Sequence, residues 1–196
     1  HNPRSPTALA GLATIFKSRG DFRKASDFFQ RQALCCNDRD GQVWQDLAYC
    51  YLMLNELQSS YTAYQHAIYH SQNQKDPKLW YGIGLLYDRY GSYARAIEAF
   101  DACLKMDPSA ELSSEVRLRV GIISKQQGKL DEALEILHEV LQTMDDPAWR
   151  SDVWSQIGHV HELQRDVKGA EAAYCKALEL NPNHAKALQQ ASQRRR

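Results

Sequence analysis

The chain has 196 residues, of which 43% are hydrophobic and 24% charged, so it can bury a core and is not a disordered tail. Lysine plus arginine number 24, and so do aspartate plus glutamate. The resulting net charge of zero argues against direct binding to nucleic acid, and no apolar run approaches the roughly 20 residues of a membrane-spanning helix.

Five stretches with helical apolar periodicity follow one another, starting near residues 6, 41, 77, 114 and 151. A sixth stretch begins near 185 and is incomplete. The prolines lie between these stretches and never inside one. A near-constant spacing of this kind indicates an internal repeat of one supersecondary unit.

The clearest unit extends from Pro77 to Pro108 and carries small and aromatic residues at fixed offsets. These residues are Trp80, Ile83, Gly84, Tyr87, Ala96, Phe100 and Cys103. They match the tetratricopeptide pattern W-x2-L-G-x2-Y…A-x3-F…P, in which each unit is a pair of antiparallel helices. The sequence therefore predicts an all-α fold, a tetratricopeptide right-handed superhelix (an α-solenoid) with five full repeats and a truncated sixth, forming a single array over residues 1–196.

Several strings between the consensus positions carry a more specific resemblance. Residues 49–54 read YCYLML, 63–70 read AYQHAIYH, 79–91 read LWYGIGLLYDRYG, and 120–129 read VGIISKQQGK. In this order they resemble the tetratricopeptide subunit of the fungal general transcriptional corepressor, the partner of the Tup WD-repeat repressor. The tetratricopeptide region of the UTX histone demethylases is a more distant resemblance. Members of the corepressor family are longer, so we expect this chain to be a fragment or a shortened relative.

The resemblance implies a nuclear, non-enzymatic scaffold that bridges DNA-bound repressors and a WD-repeat corepressor. Its partners would be proteins, with no direct contact to nucleic acid or membrane. Two alternatives stay open. One is a co-chaperone adaptor, although the inner face shows no two-carboxylate clamp of Lys, Asn and Arg. The other is the targeting region of a larger chromatin enzyme.

The first helix of each tetratricopeptide unit lines the concave face, and the inward offsets select a set of groove residues. They are Gln45, Tyr49, Leu52, Met53, Lys78, Tyr81, Leu85, Arg89, Leu118, Ile122, Lys125, Ser155, His159 and Glu162. We expect an apolar and aromatic groove, edged by charges, that accepts an amphipathic helix or an extended segment of a partner. The alternative is that some of these side chains pack against neighbouring repeats.

The sequence gives only weak signals for a metal, cofactor or catalytic site. His66 and His70 lie four residues apart on one predicted helix, but no third ligand is near in sequence, so we expect no metal site. The five cysteines are an odd number without a Cys-x-x-Cys pair, which predicts reduced thiols in an intracellular protein. No signal peptide is recognisable, and we expect neither a cofactor nor catalysis.

Overall fold

A computed structural model describes residues 6–35, 40–70, 76–106, 110–143 and 145–183, which contain ten helices and no strand. The helices are α1 (Pro6–Ser18), α2 (Phe22–Cys35), α3 (Gly41–Met53), α4 (Leu57–His70), α5 (Pro77–Arg89), α6 (Tyr93–Met106), α7 (Ala110–Gln126), α8 (Leu130–Thr143), α9 (Pro147–Leu163) and α10 (Val167–Leu180). They form five consecutive pairs, one for each predicted repeat, so the all-α tetratricopeptide fold is confirmed. The truncated sixth repeat lies outside the described residues.

The helix pairs fall into two compact units. Unit 1 is residues 1–106, with helices α1 to α6, and unit 2 is residues 107–196, with helices α7 to α10. Each unit has buried aliphatic side chains of its own, such as Leu47 and Leu79 in unit 1 and Leu137 and Ile157 in unit 2. The single continuous array over residues 1–196 stays a prediction.

Aspartate caps fix where several first helices begin. The Asp40 carboxylate accepts a hydrogen bond from the backbone N–H of Gln42 at 3.0 Å, and the Asp76 carboxylate accepts one from Lys78 at 2.9 Å. Asp146 caps α9 in the same way. These contacts satisfy backbone donors that have no partner within the helix, so each of these three repeats begins at a defined residue.

The turn inside each pair has the same backbone conformation in all five repeats. One residue per turn has a positive φ: Gly20, Asn55, Gly91, Gly128 and Arg165. The backbone N–H of Arg165 donates to Glu162 O at 3.0 Å, and that of Asp166 donates to His161 O at 2.9 Å. The same two bonds recur at the glycine turns. Arg165 therefore adopts, at φ 63°, a conformation that the other turns assign to glycine or asparagine.

Replacing Arg165 with glycine is expected to raise the free energy of unfolding by about 0.5–1 kcal/mol, because it removes the strain of a left-handed arginine. The urea midpoint of the variant measures this change. Asn55→Gly is the matched control, and its gain should be smaller because asparagine tolerates this conformation. An unchanged or lower midpoint for Arg165→Gly would show that the turn is not strained.

No helix among the described residues is long and apolar enough to span a membrane.

Candidate functional site

The first helices of unit 1 line an open cavity of about 390 Å³. Its lining comes from α1, α3 and α5, with one residue from α4: Lys17, Gln42, Gln45, Asp46, Tyr49, Tyr64, Lys78, Tyr81 and Gly82. Four of these residues, Gln45, Tyr49, Lys78 and Tyr81, were predicted from the inward offsets. The structure thus brings together part of the predicted groove. It adds five residues that the offsets did not select: Lys17, Gln42, Asp46, Tyr64 and Gly82.

Tyr49 is held at the edge of this cavity by three neighbours. The ammonium of Lys17 lies 5.3 Å from the Tyr49 ring centroid and 2.5 Å from Asp46 Oδ1. The Phe22 ring meets the Tyr49 ring edge-on with centroids 6.1 Å apart. An aromatic ring fixed by a cation and by a second ring loses little conformational entropy on binding, which suits a partner contact.

Leu52 corrects the predicted groove, because its side chain is 1% exposed and belongs to the core of unit 1. Helix α3 packs against α2, α4 and α5, so few of its positions remain open to a partner. Met53 beside it is 39% exposed. The inward offset is therefore wrong for Leu52, and the place of Met53 in the groove stays a prediction.

The remaining α5 residues of the predicted groove differ in their surroundings. Leu85 is partly buried against the core of unit 1, and the Tyr81 ring lies 5.9 Å from the Phe100 ring. Arg89 donates from Nη1 to Leu52 O at 3.1 Å, which places its charge at the end of α3. Truncating Leu85 would remove core packing as well as surface, so it is a poor probe of binding.

Unit 2 has a larger cavity of about 630 Å³ between α7, α9 and the residues after α10. The predicted residues Leu118, Ile122 and Ser155 line it. Trp149 also lines this cavity, and the sequence pattern did not select it. The reason is that α9 begins at Pro147, four residues before the repeat start expected near residue 151.

Lys125, which was predicted at the charged edge of the groove, makes a contact between two helices of unit 2. Lys125 on α7 donates to Gln156 Oε1 at 2.6 Å, and its Nζ lies 3.3 Å from His159 Nδ1. Lys125, His159 and Glu162 are not among the residues that line the unit 2 cavity. Lys125 and His159 hold α7 to α9 instead.

His66 and His70 stack on an indole ring. The His66 ring lies 4.4 Å from Trp44 with an interplanar angle of 24°, and the His70 ring lies 6.2 Å from His66. Among the described residues, no group of three His, Cys, Asp or Glu side chains lies where it could hold a metal ion. The aromatic contact gives these imidazoles a packing role.

The described cysteines differ in access. Cys50 and Cys103 are buried and Cys175 is exposed, and all three are free. Burial raises the pKa of the Cys50 thiol to about 12, so this thiol stays protonated at physiological pH. The expected reduced, intracellular state of the thiols stays a prediction.

The helix pairs, their aspartate caps and their recurrent turns define a tetratricopeptide-repeat protein. Profiles of the tetratricopeptide repeat match residues 8–42, 62–111, 89–151 and 151–184, so the chain belongs to this family. Two solved structures have the same fold. YrrB, described as a TPR protein with an unusual peptide-binding site, gives a TM-score of 0.67 at 17% identity, covering 97% of this chain and 94% of that chain. A chain of the APC/C heterotetramer Cut9–Hcn1 gives 0.80 at 17% identity, covering 96% and 36%.

The corepressor resemblance is confirmed by curated relatives. The chain is 53% identical to the general transcriptional corepressor trfA of Dictyostelium discoideum over 116 residues, which are 59% of this chain and 8% of that protein. It is 48% identical to the general transcriptional corepressor ssn6 of Schizosaccharomyces pombe over 115 residues, which are 59% of this chain and 10% of that protein. The chain thus corresponds to a small part of each relative.

Proposed function

We propose that this chain is a non-enzymatic scaffold of a nuclear transcriptional corepressor, which binds a WD-repeat corepressor and DNA-bound repressors through protein contacts alone. The single observation that carries the proposal is the cavity of unit 1, in which aromatic and charged side chains of three successive first helices face one space. The similarity to general transcriptional corepressors supports the proposed role in transcriptional repression.

The chemistry of the unit 1 cavity favours a peptide segment as the occupant. Tyr49 and Tyr81 offer amphipathic rings, while Gln42, Gln45 and Lys78 offer hydrogen-bond donors beside them. Aromatic anchors next to polar groups are typical of protein interfaces. An amphipathic helix or an extended segment of the partner fits a site of this shape and composition.

Replacing Tyr49 with alanine tests this function. We expect the binding free energy for the purified helical segment of the WD-repeat corepressor from the same organism to weaken by about 1–3 kcal/mol, because Tyr49 is an aromatic residue of the cavity held in place by Lys17 and Phe22. Isothermal titration calorimetry measures the affinity, and circular dichroism checks that the variant is folded.

Tyr69→Ala is the matched control, since Tyr69 is 83% exposed on α4 and does not line the unit 1 cavity. Its affinity should equal that of the wild type. If the segment binds neither the wild type nor the variants, the proposed partner is wrong. Equal binding by folded Tyr49→Ala and wild type would place the binding site elsewhere.

A further inference from the structure

The unit 1 cavity has a polar floor formed by Tyr64. This side chain comes from α4 and is 3% exposed, and its hydroxyl occupies the space beside Gly82 on α5. A Cβ at position 82 would lie 2.8 Å from Tyr64 Cζ, so the absence of a side chain at Gly82 makes room for the phenol. Both residues line the cavity.

The Tyr64 hydroxyl is not needed to pack the helix pair. The position that Tyr64 holds in the second repeat is occupied by Phe29 in the first repeat and by Phe100 in the third, and both rings are buried. Within the described part of the chain, the Tyr64 hydroxyl is not among the buried side-chain atoms that lack a partner, and Tyr64 lines the cavity, so its hydroxyl can donate a hydrogen bond to a ligand there.

The charged groups that line the cavity are two lysines and one aspartate. Burial raises the pKa of the Tyr64 phenol, so it stays neutral and can donate its proton in a hydrogen bond. The Asp46 carboxylate is already paired with Lys17. Lys78 is exposed and makes no ion pair with the described residues. The cavity thus carries one uncompensated positive charge beside donors from Tyr64 and Gln45.

We infer that the unit 1 cavity receives the side-chain carboxylate of an aspartate or glutamate in the bound protein segment, with the Tyr64 hydroxyl as hydrogen-bond donor and Lys78 as counter-charge. The inference rests on the proposed function and specifies its ligand chemistry. Because the lining comes from three successive first helices, the segment crosses the cavity, and the carboxylate belongs to a side chain instead of the chain end.

The experiment uses peptides selected by phage display on the wild-type chain, with Kd measured by fluorescence anisotropy. Tyr64→Phe should weaken binding about ten-fold, because a hydrogen bond to a charged group is lost while the ring stays. Changing the critical peptide Glu or Asp to its amide should weaken wild-type binding similarly. The same amide change in the peptide should weaken binding to the Tyr64→Phe variant far less, because the Tyr64 hydroxyl and the peptide carboxylate form a single contact. Tyr174→Phe, the equivalent change in unit 2, should bind as the wild type does.

The outcomes separate the two proposals. If no peptide is enriched and the corepressor segment does not bind either, the proposed function fails, and this inference fails with it. If peptides bind but Tyr64→Phe and Lys78→Met bind them as tightly as the wild type, the function stands and the carboxylate site is refuted. Sensitivity to amidation of the peptide's C-terminus, without sensitivity to its acidic side chains, also overturns the inference. Melting temperatures confirm that each variant is folded.

Discussion

Phe100→Ala is expected to lower the free energy of unfolding of unit 1 by about 3–5 kcal/mol, as large-to-small substitutions of buried aromatic residues do. Phe100 is 0% exposed, and it packs closely against Gly84 and near the Tyr81 ring. The space left by the ring cannot collapse fully, because α5 is also held by its contacts with α4 and α3. The cost therefore includes a cavity as well as lost burial.

Hydrogen exchange followed by mass spectrometry locates this loss. Amides of α5 and α6 should lose protection first, since a repeat contacts mainly its sequence neighbours. Phe100→Leu, which keeps most of the apolar volume, is the matched control and should cost much less. Uniform loss of protection across both units would contradict a local effect, and an unchanged unfolding midpoint would contradict the core role of Phe100.

The helix pairs could be predicted from the sequence because their spacing depends on a few steric positions. Gly84 and Phe100 were selected by the repeat pattern, and the structure places them in direct contact. The turn position is equally local, since a positive φ recurs once in every repeat. Such features need only one helix pair to be specified, so a single repeat of sequence contains the information.

The site could be predicted only in part, because it depends on contacts between helix pairs. The inward offsets predict which side of a first helix faces the groove, but they do not tell how deeply each side chain is buried. Leu52 was therefore placed in the groove although it is buried. Tyr64 was missed because it lies on a second helix and reaches the cavity only through the gap at Gly82. Lys17 was missed because its role depends on Asp46 in the next repeat.

Gly84→Ala is expected to destabilise unit 1 by about 1–3 kcal/mol, although alanine favours a helix over glycine by about 1 kcal/mol. A Cβ at residue 84 would lie 2.5 Å from Phe100 Cε1 and 2.6 Å from Cδ1. The Phe100 ring is fully buried and cannot swing aside, so α5 and α6 must separate.

Gly121→Ala in unit 2 is the matched control for this overpacking. A Cβ there would lie 3.3 Å from Leu137 Cγ and Cδ2, a contact that a flexible aliphatic side chain can relieve by a small shift. The gain in helix propensity should then offset the strain, and the net change should stay within about 1 kcal/mol. Urea denaturation measures the free energy of unfolding of both variants and the wild type, and hydrogen exchange shows which helix pair loses protection. Equal effects of the two substitutions would mean that ring rigidity does not set the distance between paired helices, whereas a loss confined to Gly84→Ala would show that it does.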